Sequence, residues 1–298
     1  MKNWMKGIAI GVLAFGLAAC NETAAPKEDP ETGKPEEVEK ESTMTAQEVY
    51  QKAMEVSEEQ KSMHAKMDVD QLIKVPSEEF EMNSKIKMDM DMVIDPVEMY
   101  QKMTMDLGDE GSMDIEMYMT GEGFYMNDPE SGQWVKLPNE MYEDMIGEMG
   151  GGADPTLDME MFKEFVNDFK FEQTDDAYIL TLSASGDKFT ELLKEIAKDN
   201  IPAGVEMGEE EMELMENMKV NALEFEIFID KETFYTNAFN MDMDMNMVVE
   251  GQEMNIVQKV KADISKINEI EKIEIPQDVI DNAVDINEAM GEMEPVQE

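Results

Sequence analysis

Methionine recurs at every second position along several stretches of this chain, as in Met88-Asp89-Met90-Asp91-Met92, Met103-Thr104-Met105, Met117-Tyr118-Met119 and Met241-Asp242-Met243-Asp244-Met245-Asn246-Met247. A period of two sends successive side chains to opposite faces of a strand, so each stretch has a thioether face and a polar face, a pattern no helix can use. Antiparallel sheet with one apolar side is the architecture that accepts it. With 33 Met in 298 residues and only 7% aromatics, that side is built of flexible, polarizable groups.

The alternation extends well beyond these stretches. Met63, Ala65, Met67 and Val69 alternate with polar residues, Phe80 to Ile94 continues the pattern, and Val97 to Leu107, Met113 to Met119 and Gly123 to Met126 follow in phase. A turn through 127–132 leads into Trp134–Leu137, Phe171 and Tyr178–Ala184 read as a hairpin, and Leu223, Phe225, Ile227 and Ile229 open a run of three strands. The second of the three carries Phe239 to Met247, and the third carries Met254, Ile256, Val260, Ala262 and Ile264.

Helices are predicted at Thr45–Gln60, where a Thr45 cap has Glu48 three residues on, at 139–149, at 154–168 behind Asp154-Pro155, and at 186–198. Strands, a helical middle and strands again predict an α+β domain, a single antiparallel sheet with helices over its apolar face.

The N-terminus addresses the compartment. Lys2 and Lys6 precede the apolar run Ile8–Ala19, the layout of a secretory signal that is too short for a permanent span. Its end, Leu17-Ala18-Ala19-Cys20, resembles the bacterial lipobox, which implies a diacylglycerol thioether on Cys20 and cleavage just before it. Two acyl chains hold a protein stably on a membrane. Cys20 is the single Cys, so the rest of the chain has neither a disulfide framework nor a thiolate metal site. Residues 20–44 scatter Pro26, Pro30 and Pro35 among Glu, Lys and Thr and read as a disordered tether. The expected partition is therefore signal 1–19, lipidated tether 20–44, domain 45–281 and acidic tail 282–298, on the outer face of the cytoplasmic membrane.

Seventy acidic against 24 basic residues give a formal net charge of -46, and every basic residue is Lys. Without Arg forks or a basic patch, nucleic acid is excluded as a partner. Three motifs invite chemistry and fail. Asp242, Asp244, Asn246, Glu250 and Glu253 follow calcium-loop spacing, but Met247 stands where the loop needs Gly. His64, the only His, sits on the outward side of its strand with neither a second His nor a G-x-S-x-G elbow to serve it, and reads as a surface residue. Trp134 follows a hairpin turn and reads as a packing aromatic at the sheet end or as part of a cavity rim. No catalytic residue, metal ligand set or cofactor is predicted, and the chain is read as a non-enzyme.

The strand order, the tether, the segments Gly123-Phe124-Tyr125-Met126-Asn127-Asp128-Pro129 and Gly132-Gln133-Trp134-Val135-Lys136, the Ile229-Asp230-Lys231 turn and the terminal Ile275-Pro276 resemble Gram-positive lipoproteins related to the LolA and LppX/LprG lipid carriers. That resemblance implies a strongly curved sheet, a half-barrel, with helices across its concave face and a hydrophobic cavity between. On this reading a lipid-like ligand lies against Met88, Met90, Met92, Met103, Met105, Met117, Met119, Trp134, Phe225, Ile227, Met241, Met243 and Met245. Two alternatives stay open. The sheet face is filled by the protein's own helices and the acidic surface binds an envelope protein or cations, as in an interaction or sensor module; or the thioethers bind a soft metal.

Overall fold

The computed structural model describes residues 23–28, 32–39, 41–108, 111–129, 131–138, 165–166, 168–186, 189–191, 194, 217–249 and 251–286. Thirteen strands are described: β1 (Ala25–Pro26), β2 (Ser62–Val75), β3 (Phe80–Val93), β4 (Glu98–Asp106), β5 (Ser112–Thr120), β6 (Gly123–Asn127), β7 (Trp134–Lys136), β8 (Lys170–Gln173), β9 (Ala177–Ala184), β10 (Lys219–Asp230), β11 (Thr236–Val249), β12 (Gln252–Ser265) and β13 (Val284–Asp285). They form one open, curved sheet in the order β1-β8-β9-β10-β11-β12-β2-β3-β4-β5-β6-β7-β13. All pairs are antiparallel except those of β1 with β8 and β13 with β7, the short strands that end the sheet.

Each predicted strand is present; β3, β4 and β7 are one or two residues shorter than predicted and the others are longer, β2 most of all. The turns follow from local chemistry. Asp230 Oδ1 accepts from Glu232 N, Thr233 N and Thr233 Oγ1 at 3.0, 2.7 and 2.9 Å, closing the β10–β11 connection in which Phe234 is left-handed at φ 63°. Burial opposes charge on Asp230, but the bonds from Thr233 and Glu232 outweigh it and hold the carboxyl below its ordinary value. Gly251, at φ 79°, makes the tight β11–β12 turn that a side chain would strain.

Helix α1 (Ala46–Ser57) starts at the predicted cap: Thr45 Oγ1 accepts from Glu48 N and the Glu48 carboxylate accepts from Thr45 N at 2.9 Å. Its Val49, Tyr50 and Ala53 are buried against β8–β11 in the main core, with Leu180, Leu182, Phe225, Ile227 and Ile229. Phe165, Phe169 and Phe189 complete that core.

The described residues do not support a full cover of helices over the concave face. On the apolar face they give α1 and the helical residues 189–191 and 194, inside the predicted 186–198 helix, with Phe189 packed into the main core, whereas α2 (Gln277–Asn282) lies on the opposite face. The helices expected at 139–149 and 154–168, and most of 186–198, fall outside the described residues apart from 165–166, 168, 189–191 and 194.

The predicted tether and the start of the predicted acidic tail carry structure. Within 20–44, β1 pairs with Glu172 and Gln173, Ala24 is buried, and Gln173 Nε2 donates to the Ala24 carbonyl at 2.6 Å. A short edge strand needs backbone partners, not apolar side chains, so composition could not reveal it. At the other end, 266–285 straps the polar side of the sheet. Asn268 N donates to Ser62 O at 2.9 Å, Ile270 N to Ser62 Oγ at 3.1 Å, Val279 packs on Tyr118 and Tyr125, and Val284 pairs with Val135. The folded body thus extends past 281.

Candidate functional site

Because residues paired across an antiparallel ladder share a face, the register lays out the apolar side row by row. One row runs Leu180, Ile227, Phe239, Ala262, Met67, Met88, Met103, Ile115. A neighbouring row carries Ala65, Met90, Gln101 and Met117, and another carries Met63, Met92, Met99 and Met119. Twelve of the thirteen predicted ligand residues therefore lie on one continuous face.

Burial divides that face. Under α1 and the side chains of Phe165, Phe169 and Phe189 it is sealed: Leu180 and Ile227 have no exposure and Phe225 has 3%. At one end Met63, Met90 and Met92 form a second buried cluster, and Met119 is 1% exposed. Between them the face is incompletely covered. Met67, Met88, Met103, Met105 and Met117 on β2–β5 are half-buried, as are Met241, Met243 and Met245 on β11. Phe225, Ile227, Met90, Met92 and Met119 are thus core, Met241 and Met243 pack against the edge of the main core while keeping partial exposure, and the other Met of the set keep surface available for contact.

Trp134 does not join this face. It pairs with Asn127, two residues from Tyr125, so parity puts it on the opposite side, where its ring lies 5.7 Å from that of Tyr118. There Tyr100, Tyr118, Tyr125 and Trp134 form an aromatic patch that α2 and Ile273, Ile275 and Val279 cover. A three-residue strand offers too little alternation to assign parity from sequence. Burial is the main cause that raises both Tyr118, to about 12, and Tyr100; the Glu116 carboxylate, 2.9 Å from the Tyr100 hydroxyl, adds to it.

His64 is not a surface residue. It is 8% exposed, with Nδ1 2.7 Å from Asp91 Oδ1 and 3.8 Å from Asp89 Oδ1. Sequence reasoning placed it correctly on the polar face and missed that this face is partly covered. Elsewhere the polar side carries cross-strand pairs such as Lys259–Asp242 at 2.8 Å and Lys66–Asp89 at 3.6 Å. It also holds a shallow groove of about 680 Å³ lined by Asn221, Glu224, Asp242, Asp244 and Lys259, among others. The calcium-like residues 242, 244 and 246 lie on β11 in extended conformation, and no cluster of three or more His, Cys, Asp or Glu suited to a metal occurs among the described residues. Cys20 lies outside the described residues, among which no helix is long and apolar enough to cross a membrane.

A family model described as a family of unknown function, DUF6612, matches residues 45–284. The chain belongs to the DUF6612 family. The match ends at the start of β13, in keeping with a DUF6612 domain that includes the C-terminal strap. No curated protein matches the chain. Among solved structures it is similar to LprF from Mycobacterium bovis, at 13% identity over 78% of this chain and 95% of that one, with a TM-score of 0.37. It is also similar to the lipoprotein LppX from Mycobacterium tuberculosis, at 11% identity over 77% and 98%, TM-score 0.37. A DUF1329 family protein from Desulfovibrio piger matches at 9% identity over 74% and 91%, TM-score 0.23.

Proposed function

We propose that this DUF6612 protein is a lipid-anchored, extracytoplasmic, non-enzymatic binder of a lipid-like or other hydrophobic ligand, held against the methionine face between β11 and β5. The single observation that supports the reading is the half-burial of Met67, Met88, Met103, Met105, Met241, Met243 and Met245, on a face whose flanks are closed by cores of their own. An acyl chain laid on those thioethers gains about 25 cal/mol for each Å² removed from water, and flexible Met repacks around irregular ligands. Cys20 would tether the protein at the outer face of the cytoplasmic membrane through its diacylglycerol, close to a source of such chains. A fluorescent fatty-acid analogue titrated into the protein tests this. Saturable uptake that Met103→Asp and Met243→Asp each weaken about tenfold or more, in folded protein, is expected; no uptake by the wild type would end the proposal.

The groove lined by Glu224, Asp242 and Asp244 favours a second reading, in which the acidic face engages a cation or a basic envelope partner. Retention of binding partners in E224Q/D242N/D244N protein would count against it.

A further inference from the structure

We infer that Met67, Met88 and Met103 form a thioether site for a soft monovalent metal ion, Cu(I) or Ag(I). The register puts Met67 opposite Met88 and Met88 opposite Met103, so three adjacent strands present three thioethers in one straight row. Directly opposed Cβ atoms in such a ladder are about 4.5–5.5 Å apart. Each Sδ stands on two further freely rotating bonds, so three sulfurs on one face can converge on a single ion with no movement of the backbone. Ala262 and Ile115 bound the row on β12 and β5, which makes it a local triad in an otherwise hydrocarbon line.

A metal would be hard to accommodate if these side chains were the protein's only core, because ligation would then dismantle the packing. They are not. The main core lies under α1, a second surrounds Met63 and Met92, and a third lies beneath the C-terminal strap, while Met67, Met88 and Met103 stay half-buried between them. The chemistry of the surroundings sets selectivity. Parity sends Lys66, Asp68, Lys87, Asp89, Lys102 and Thr104 to the opposite face, so the triad offers no carboxylate or imidazole to hard or borderline cations. A formal charge of -46 raises the local concentration of any cation near the molecule, and the thioethers then select the soft one. Binding is ligation of an ion that arrives as Cu(I) or Ag(I), with no electron transfer.

The inference shares this half-buried face with the lipid reading but not its ligand, and is tested with silver alone, on the chain from Asn21 onward, which retains every described residue and lacks the only thiol. Native mass spectrometry and calorimetry are expected to show one tightly held Ag(I) that about tenfold excess Zn(II) does not displace. M67L/M88L/M103L, which keeps apolar volume, should bind about tenfold or more weakly. M241L/M243L/M245L removes as many thioethers from β11, where the cross-strand neighbours are Val260, Gln258 and Ile256, and should bind silver as the wild type does. Should the ladder triple lose its circular-dichroism signature, M88L alone, which removes the central ligand, is expected to show the same weakening. Equal loss in both triples, wild-type binding in the ladder variant or in a folded M88L, displacement by Zn(II), or no silver on the wild type would each overturn the assignment.

Discussion

Truncating methionines of the same face to Ala should produce two distinct costs. Met92 and Met119 are 2% and 1% exposed, so Met→Ala at either removes a fully buried side chain and leaves a cavity, a loss of about 2–5 kcal/mol. Met88 and Met103 keep partial exposure, so truncation forfeits most but not all of the 1.5–3 kcal/mol transfer gain, about 1.5 kcal/mol, and leaves no enclosed void. The gap between the classes is then about 2 kcal/mol, which an m-value of about 3 kcal/mol/M turns into a urea midpoint difference of about 0.7 M. Chemical unfolding followed by circular dichroism, compared only among variants with an unchanged m-value, reads it directly. If M103A proves as costly as M92A, the face is sealed in solution and the reasoning behind an accessible methionine surface fails.

Other consequences concern the opposite face and the turns. Val279→Asp puts a carboxylate into the Tyr118–Tyr125 cluster and should cost about 2–4 kcal/mol; Trp134 emission, the sole tryptophan signal beyond Cys20, should shift to longer wavelength and become more quenchable by acrylamide, and an unchanged spectrum would show that the strap does not cover it. Tyr118 and Tyr100 titrate above the unfolded value of about 10, so the stability from their neutral phenols is complete below pH 10 and is lost as pH climbs toward 12. Absorbance at 295 nm should show ionisation of Tyr100 and Tyr118 that continues above the ordinary tyrosine range and is lost from Y100F/Y118F protein, and a single step at about 10 would contradict this. Asp230 has a depressed carboxyl, so its contribution exists above the ordinary carboxylate value and disappears as pH falls through the lower folded one. Wild type should therefore exceed D230N by about 1 kcal/mol at neutral pH and match it in strong acid; a gap that persists into acid would assign the loss to something other than the charge.

The period-two pattern made nearly every strand legible, because Met alternating with Asp or Lys over many residues permits one reading. Thr45 and Glu48 likewise wrote the start of α1 in a short local code. What stayed hidden was what covers each face. Ile273, Ile275 and Val279 are too sparse to announce a strap, and the aromatics beneath them come from four different strands whose adjacency only the sheet order reveals. His64 was misplaced for the same reason. Its parity was readable, but the Asp91 side chain beside it and the chain crossing at Ser62 come from distant positions. Within the candidate site, the shared face of the methionines followed from alternation, whereas the division into buried Met92 and half-buried Met103 depends on the cores that flank them.

The central claim, that the methionine face holds a hydrophobic ligand, is tested most directly by native mass spectrometry with lipid extraction on protein purified from its own host without detergent. The account predicts a stoichiometric lipid that survives washing and is lost from folded M103D protein. Protein that emerges empty and acquires no lipid from vesicles would contradict it.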